Sequence, residues 1–187
     1  MVNVLVTGGA GFIGSNFVSY ALKVHPDWKI TTLDKLTYAG RVENLQEHEG
    51  NPRHQFVKGD VADLAIAPEL VRKADVIVHF AAETHVDRSI QSAGNFVTTD
   101  VYGTFVLLDA ARTSSRLQKF VQISTDEVYG SVAEGSSTES DQLLPRNPYA
   151  ATKAGADRLA YSYWSTYNVP VIITRASNNY GPRQFPE

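Results

Sequence analysis

Two pairs of side chains in this sequence have the types and spacing for acid–base chemistry. Tyr149 and Lys153 stand four apart, so on a helix they share a face. A tyrosine with the ordinary pKa of about 10 is a poor base at neutral pH. An ammonium one turn away favours the phenolate and lowers that pKa, and the same ammonium suits a ribose hydroxyl. Asp126 and Glu127 are adjacent carboxyls. In a shielded site such neighbours push each other's pKa apart, leaving one protonated and one ionised, and which proton sits where belongs to the pair. Each pair also has an inert reading: a chance surface pair for the first, a solvated loop for the second. What separates the readings is where the surrounding elements put them.

Those elements begin with Thr7-Gly8-Gly9-Ala10-Gly11-Phe12-Ile13-Gly14. The apolar run Val2 to Val6 before it reads as a buried strand. After it, Phe17, Val18, Ala21 and Leu22 recur at helical spacing within Ser15 to Val24. The glycines therefore sit on a strand-to-helix turn. Gly8 permits the tight turn, Gly11 the approach of a diphosphate, and Gly14 close packing of helix on strand. The helix N-terminus offers free N–H groups to that anion. A second strand, Lys29 to Leu33, is ended by Asp34, at the spacing of a ribose-binding acid. Its carboxylate suits both ribose hydroxyls and repels a 2′-phosphate, which favours NAD over NADP. Lys35 is the one hint in the other direction and reads as a solvated surface lysine.

The rest of the chain alternates strand and helix. A loop at 36–40 and a short helix, Arg41 to Glu47, lead to a third strand, His54 to Lys58. Pro68 starts a helix running to Lys73. Asp75 to Phe80 is a fourth strand, followed by the small residues Ala81 and Ala82. A long helix covers Asn95 to Thr113, and Lys119 to Ser124 is a fifth strand. A loop rich in Ser, Gly and Glu spans 131–147. Asn147 and Pro148 cap the helix from Tyr149 to Tyr167, and Pro170 to Arg175 is a sixth strand. This alternation predicts an α/β fold: a doubly wound parallel Rossmann sheet, order 3-2-1-4-5-6, with helices on both faces. The loops at 7–14, 34–40, 59–61, 80–89, 124–130 and 176–187 then all lie at the carboxyl ends of strands, where ligands bind.

A length of 187 residues suits one domain, or one and the start of another, and the composition is that of an ordinary globular protein. A net charge of −3 argues against a nucleic-acid or membrane-surface partner. With no cysteine there is no disulfide framework and no thiolate metal site, and no metal is expected. No apolar stretch has the length of a signal peptide or membrane span, so a cytoplasmic location is the expectation.

The glycine turn, Asp34, Tyr149 and Lys153 together resemble the extended short-chain dehydrogenase/reductase group, which acts on nucleotide sugars. The stretches Ala81 to Ile90, Ser124-Thr125-Asp126-Glu127-Val128-Tyr129-Gly130 and Ser177-Asn178-Asn179-Tyr180-Gly181-Pro182 are similar to the dTDP-glucose 4,6-dehydratase family, over the whole chain. Thr-Asp-Glu is its most specific element, since related epimerases and decarboxylases usually lack the acid pair. The resemblance implies NAD as cofactor and a nucleotide-diphosphate sugar as substrate. In that scheme Tyr149 takes the 4-hydroxyl proton while C4 gives up hydride. Glu127 then removes the C5 proton, Asp126 protonates the departing 6-hydroxyl, and hydride returns to C6. Thr125 holds the 4-oxygen.

Carried over residue by residue, the resemblance assigns Phe12 and Ile13 to the diphosphate. Asp34, Lys35, Leu36 and Thr37 fall to the adenosine ribose and adenine, with Asp60 and Val61 at the adenine. Ala81, Ala82 and Thr99 fall to the cofactor's nicotinamide side, Asn179 to the cofactor, and Thr84 and Asn178 to the substrate. His85 reads equally as a substrate contact or as a helix-start histidine. Trp164 and Tyr163 read as core or interface. The resemblance also implies a homodimer in which the two long helices pair across a two-fold axis, using Phe105, Tyr163 and Trp164. Three departures stand out: Asp100 where the family usually has Asn, Ala150 where it often has Ser, and a chain that stops at Glu187. From the last comes the expectation that 1–187 is the NAD-binding Rossmann domain with the small C-terminal substrate domain absent. The competing readings are a 4-epimerase or decarboxylase with the same Tyr–Lys pair, and an NAD-binding module without turnover.

Overall fold

The computed structural model describes residues 1–185. Six strands, β1 (Val2–Thr7), β2 (Trp28–Asp34), β3 (His54–Lys58), β4 (Val76–His79), β5 (Lys119–Thr125) and β6 (Val171–Ala176), form one sheet in the order β3-β2-β1-β4-β5-β6. Every pairing is parallel. This is the doubly wound order expected, and its direction reverses between β1 and β4.

The two-residue pleat divides the core between the faces. Leu5, Leu33, Ile77 and Phe120 point to one side and pack with α2 (Ile66–Lys73), α5 (Gly103–Ala111) and α6 (Pro148–Tyr167). Val4, Val6, Ile30 and Val78 point to the other and pack with α1 (Phe12–Val24) and Leu45 of a 3-10 turn, Val42–His48. β6 is half-covered: its alternate positions Ile172, Thr174 and Ala176 are exposed. No helix among the described residues is long and apolar enough to cross a membrane.

Three elements differ from expectation. The helix at 41–47 is the 3-10 turn. α2 starts at Ile66 rather than Pro68, because Asp63 Oδ1 accepts from the N–H groups of Ala65 and Ile66 at 2.7 and 3.2 Å and opens the helix early. Pro68 then occupies a first-turn position where no N–H is needed. The long helix expected at 95–113 is a composite. α3 (Val86–Gln91) and α4 (Ala93–Phe96) precede a wide π stretch, Val97–Tyr102, which continues into α5. Such bulges insert a residue and re-aim the side chains within them; this one turns Asp100 inward, fully buried.

Two glycines of the first turn are dictated by space. Gly8 has φ +69°, and a Cβ there would stand 2.6 Å from Ala81 N. A Cβ on Gly14 would collide with the Gly8 carbonyl and stand 2.8 Å from Gly9 Cα. Gly14→Ala should therefore cost about 1–3 kcal/mol, as overpacking does. Gly94→Ala, in α4 with nothing within 4 Å, should gain about 0.5–1 kcal/mol. Urea midpoints of the two variants check the contrast.

Candidate active site

The loops at the carboxyl ends of the strands enclose one cleft of ≈ 820 Å³. Its floor is the turn into α1, with Gly8, Gly11, Phe12, Ile13 and Gly14 on the wall. Gly11 is the N-cap of α1, and a Cβ there would meet only the Gly8 carbonyl, at 3.3 Å. The protein leaves that side open, and the first N–H groups of α1 have no intrahelical acceptor.

Asp34, Lys35, Thr37, Asp60 and Val61 line one end. Asp34 is nearly buried; its Oδ2 accepts from Ala10 N–H at 2.9 Å and its Oδ1 from Leu36 N–H at 2.8 Å. Burial raises its pKa, against these two bonds. Each oxygen keeps a further lone pair for a hydroxyl. Leu36 does not line the cleft. With φ +58° it turns its N–H onto Asp34 and packs its side chain toward the core. Lys35 is not simply solvated: its Nζ lies 2.6 Å from Asp60 Oδ2. Burial pushes the Asp60 carboxyl up, but this contact and the Ala62 N–H bring it below its ordinary value.

Ala81, Ala82, Thr84, His85 and Thr99 form the middle of the wall. His85 precedes α3 with φ +78°. Tyr38, from the loop after β2, reaches across to Thr84, with its hydroxyl 2.5 Å from Thr84 Oγ1. Its ring lies against His85 on one side and the Arg88 guanidinium, 3.6 Å from the ring centre, on another. Sequence reasoning assigned Tyr38 no role; its only signal was its place in a strand-end loop.

Thr125, Glu127, Tyr149 and Lys153 close the far end together with Asn178 and Asn179 of the loop expected at 176–187, of which Pro186 and Glu187 lie outside the described residues. Asp126 is exposed and faces a neighbouring cavity of ≈ 640 Å³, which Glu127 also lines. The acid pair therefore straddles a shared rim. It lies on a 3-10 turn, Asp126–Tyr129, capped by Thr125 Oγ1, which accepts from Glu127 N–H at 3.3 Å.

The Tyr149–Lys153 pair behaves differently from expectation. Lys153 is buried, and its ammonium donates to the Ile123 carbonyl at 2.7 Å rather than acting on Tyr149. Burial lowers the Lys153 pKa, opposed by the charges of Asp100 and Asp157. Tyr149 is pushed well above its ordinary value, first by burial and then by Glu127 and Asp100; a hydrogen bond with Thr125 works the other way.

Asp100 joins three elements. Its Oδ1 accepts from Glu83 N–H and its Oδ2 from the Thr152 hydroxyl, both at 2.8 Å. Burial raises its pKa to about 6, against Lys153 and these hydrogen bonds. A carboxyl with a raised folded pKa gives stability that is present below its unfolded value and lost as pH rises through about 6. Asp100→Asn keeps both contacts, because an amide accepts from Glu83 and donates to Thr152. It should match the unmodified chain at pH 4 and exceed it above pH 7, by up to about 3 kcal/mol for a shift of some two units. Urea melts at the two pH values test this.

The model of the GDP-mannose 4,6 dehydratase family matches residues 5–187. The chain is 58% identical over 186 residues to the low-salt glycan biosynthesis protein Agl12 of Haloferax volcanii, covering 100% of this chain and 59% of that protein. It is 53% identical over 191 residues to a dTDP-glucose 4,6-dehydratase of Streptomyces antibioticus, covering 100% and 56%. Among solved structures, dTDP-glucose 4,6-dehydratase from Bacillus anthracis in complex with NAD superposes with TM-score 0.90 at 45% identity, covering 100% of this chain and 58% of that one. UDP-glucuronic acid 4-epimerase from Bacillus cereus, in complex with UDP-glucuronic acid and NAD, gives TM-score 0.92 at 33% identity, covering 99% and 59%. The chain thus spans less than three-fifths of the length of these relatives.

Proposed function

The chain belongs to the GDP-mannose 4,6 dehydratase family, and from that premise we propose that it is the cofactor-holding, reaction-bearing part of an NAD-dependent nucleotide-sugar 4,6-dehydratase, with dTDP-glucose as substrate. The observation that supports the reading is that Glu127, at the end of β5, lines the same cleft as Tyr149 and Lys153, with Asp126 beside it on the neighbouring cavity.

The cleft suits a dinucleotide. The open face at Gly11 and the N-terminus of α1 suit a diphosphate, and the buried Asp34 suits a ribose diol. NAD, when bound, supplies the hydride acceptor and a positive charge in the cleft that opposes the acids now holding Tyr149 protonated. Lys153, fixed to the Ile123 carbonyl, retains ammonium protons for a ribose hydroxyl. Tyr149 accepts the proton of the sugar 4-hydroxyl, and Thr125 bonds the resulting 4-oxygen.

Elimination follows from acidity. A ketone at C4 makes the C5 proton removable. Glu127 takes that proton, the C–H electron pair moves into the C5–C6 bond, and the C6–O bond breaks. Asp126 gives the departing hydroxyl its proton, so one water leaves. A 4-epimerase needs Tyr149 and Lys153 but not this acid pair, which is why dehydration is favoured. The aromatic residues Tyr102, Tyr161, Trp164 and Tyr167, 41–50% exposed on the long helices, support a homodimer through those helices. Tyr163 is not part of that surface: it is buried, with its hydroxyl on Asp109.

NAD should bind the chain more tightly than NADP, and Asp34→Ala should weaken NAD and narrow the gap; equal affinities in the unmodified chain contradict the carboxylate argument. The acid and redox pairs should separate in a chimera joining residues 1–187 to the remaining part of a curated relative. In a single turnover Tyr149→Phe should give no NADH absorbance. Glu127→Gln should still form bound NADH while losing solvent-deuterium exchange at C5. Asp126→Asn should slow water loss by about 10²–10⁴-fold. Full dehydration by Glu127→Gln would remove the residue from this role.

A further inference from the structure

Asn147 is read from sequence only as a helix cap. In the structure it makes two hydrogen bonds with opposite ends of one amide. Its Oδ1 accepts from Ala150 N–H at 2.7 Å, which caps α6. Its Nδ2 donates to Glu127 Oε2 at 3.0 Å. The amide has one admissible orientation: reversed, its NH2 would face the Ala150 N–H and its oxygen would face the carboxylate. Ser, Thr and Asp cap helices as well as Asn does, but none presents an acceptor and a donor in this fork.

We propose that Asn147 is a positioning residue for Glu127: one amide fixes the Glu127 carboxylate to the first turn of the helix that carries Tyr149, so that the two proton-handling groups keep a constant separation. Among the described residues, the Asn147 amide is the group that hydrogen-bonds this carboxylate. The other ionisable groups around it are Asp126 and Tyr129 on its own turn, Tyr149 and Lys153 on α6, Glu83 after β4, Arg175 on β6 and Glu139 in the following loop. Arg175 is committed elsewhere, to Asp157 and the Tyr129 hydroxyl, so no cation substitutes for the amide. The neighbours on either side of this turn differ in kind. Tyr149 is reached through the helix, whereas Asp126 is covalently adjacent, so loss of the amide frees Glu127 relative to Tyr149 and leaves the acid pair together.

The importance of this contact for turnover rests on Glu127 being the C5 base, so the test has one arm that does not. In the 187-residue chain, the mobility of the Glu127 side chain is followed by carbon-13 relaxation at fixed pH in the unmodified protein, Asn147→Ser and Asn147→Asp. Both variants keep a capping oxygen and should keep the thermal midpoint within a few degrees, while Asn147→Ala lowers it. The Glu127 carboxylate should be more mobile in Asn147→Ser than in the unmodified protein and displaced further in Asn147→Asp, where a like charge replaces a donor. In the chimera, Asn147→Ser should slow C5 exchange about 10–100-fold with bound NADH formed as before, the cost expected of a misplaced base. Unchanged Glu127 mobility in both variants overturns the proposal. Increased mobility with exchange insensitive to Glu127→Gln supports the positioning contact and overturns the assignment of Glu127 as base.

Discussion

A lysine almost wholly removed from water governs this structure. Lys153 is 5% exposed, and a buried ammonium is costly unless its protons are bonded and its charge is balanced. The Ile123 carbonyl takes one proton, which requires α6 to start beside the end of β5. The charges of Asp100 and Asp157 offset part of that cost; the π stretch before α5 turns the Asp100 carboxyl inward, although its own burial costs more than its contact with Lys153 returns. Asp157, itself fully buried, is held by Arg175 from β6 at 2.9 Å. One cation thus fixes the relation of β5, β6, the π stretch and α6. Asp100, one of the charges facing Lys153, also raises the Tyr149 pKa, behind burial and Glu127.

A second layer of the site is built from neutral side chains rather than charge. His79, at the centre of the sheet, has its Nδ1 2.6 Å from the Thr7 hydroxyl and its Nε2 3.0 Å from the Thr104 hydroxyl. The Thr104 hydroxyl donates to the Asp100 carbonyl, so it must accept from Nε2–H, which places the proton on that nitrogen. Burial and the Lys153 charge lower the His79 pKa to about 3, so it stays neutral. It is a rigid spacer between the glycine turn and the π stretch, not an acid or base.

Much of this was legible because it follows period and punctuation. Strand order followed from the alternation of elements and the right-handed crossover rule. The dinucleotide turn followed from glycines whose missing Cβ atoms are required by the Gly8 carbonyl and the Ala81 backbone. What escaped were features that depend on a third dimension of contact. The π stretch at 97–102 carries no glycine or proline to mark it, and the contacts it provides, Asp100 with Glu83 and Thr152, are distant in sequence. Four-residue spacing put Tyr149 and Lys153 on one face but did not say that the ammonium would bond a strand carbonyl instead. Leu36 matched a loop by position, yet a backbone turn sends its side chain to the core. Tyr38 and Asn147 carried only loop and cap signals, because their second partners, Thr84 and Glu127, are distant in sequence.

In the proposed reaction, a single site built from Tyr149, Lys153, Asp126 and Glu127 removes a hydride from C4 of a nucleotide sugar and returns it to C6 of the same molecule. Isotope position tests this most directly. The chimera carrying residues 1–187 is given dTDP-glucose deuterated at C4, and the product is read by mass spectrometry and NMR. The account predicts a 4-keto-6-deoxy sugar with the deuterium at C6 and the cofactor oxidised at the end. Deuterium retained at C4 of an epimerised sugar, or left on reduced cofactor, would contradict it.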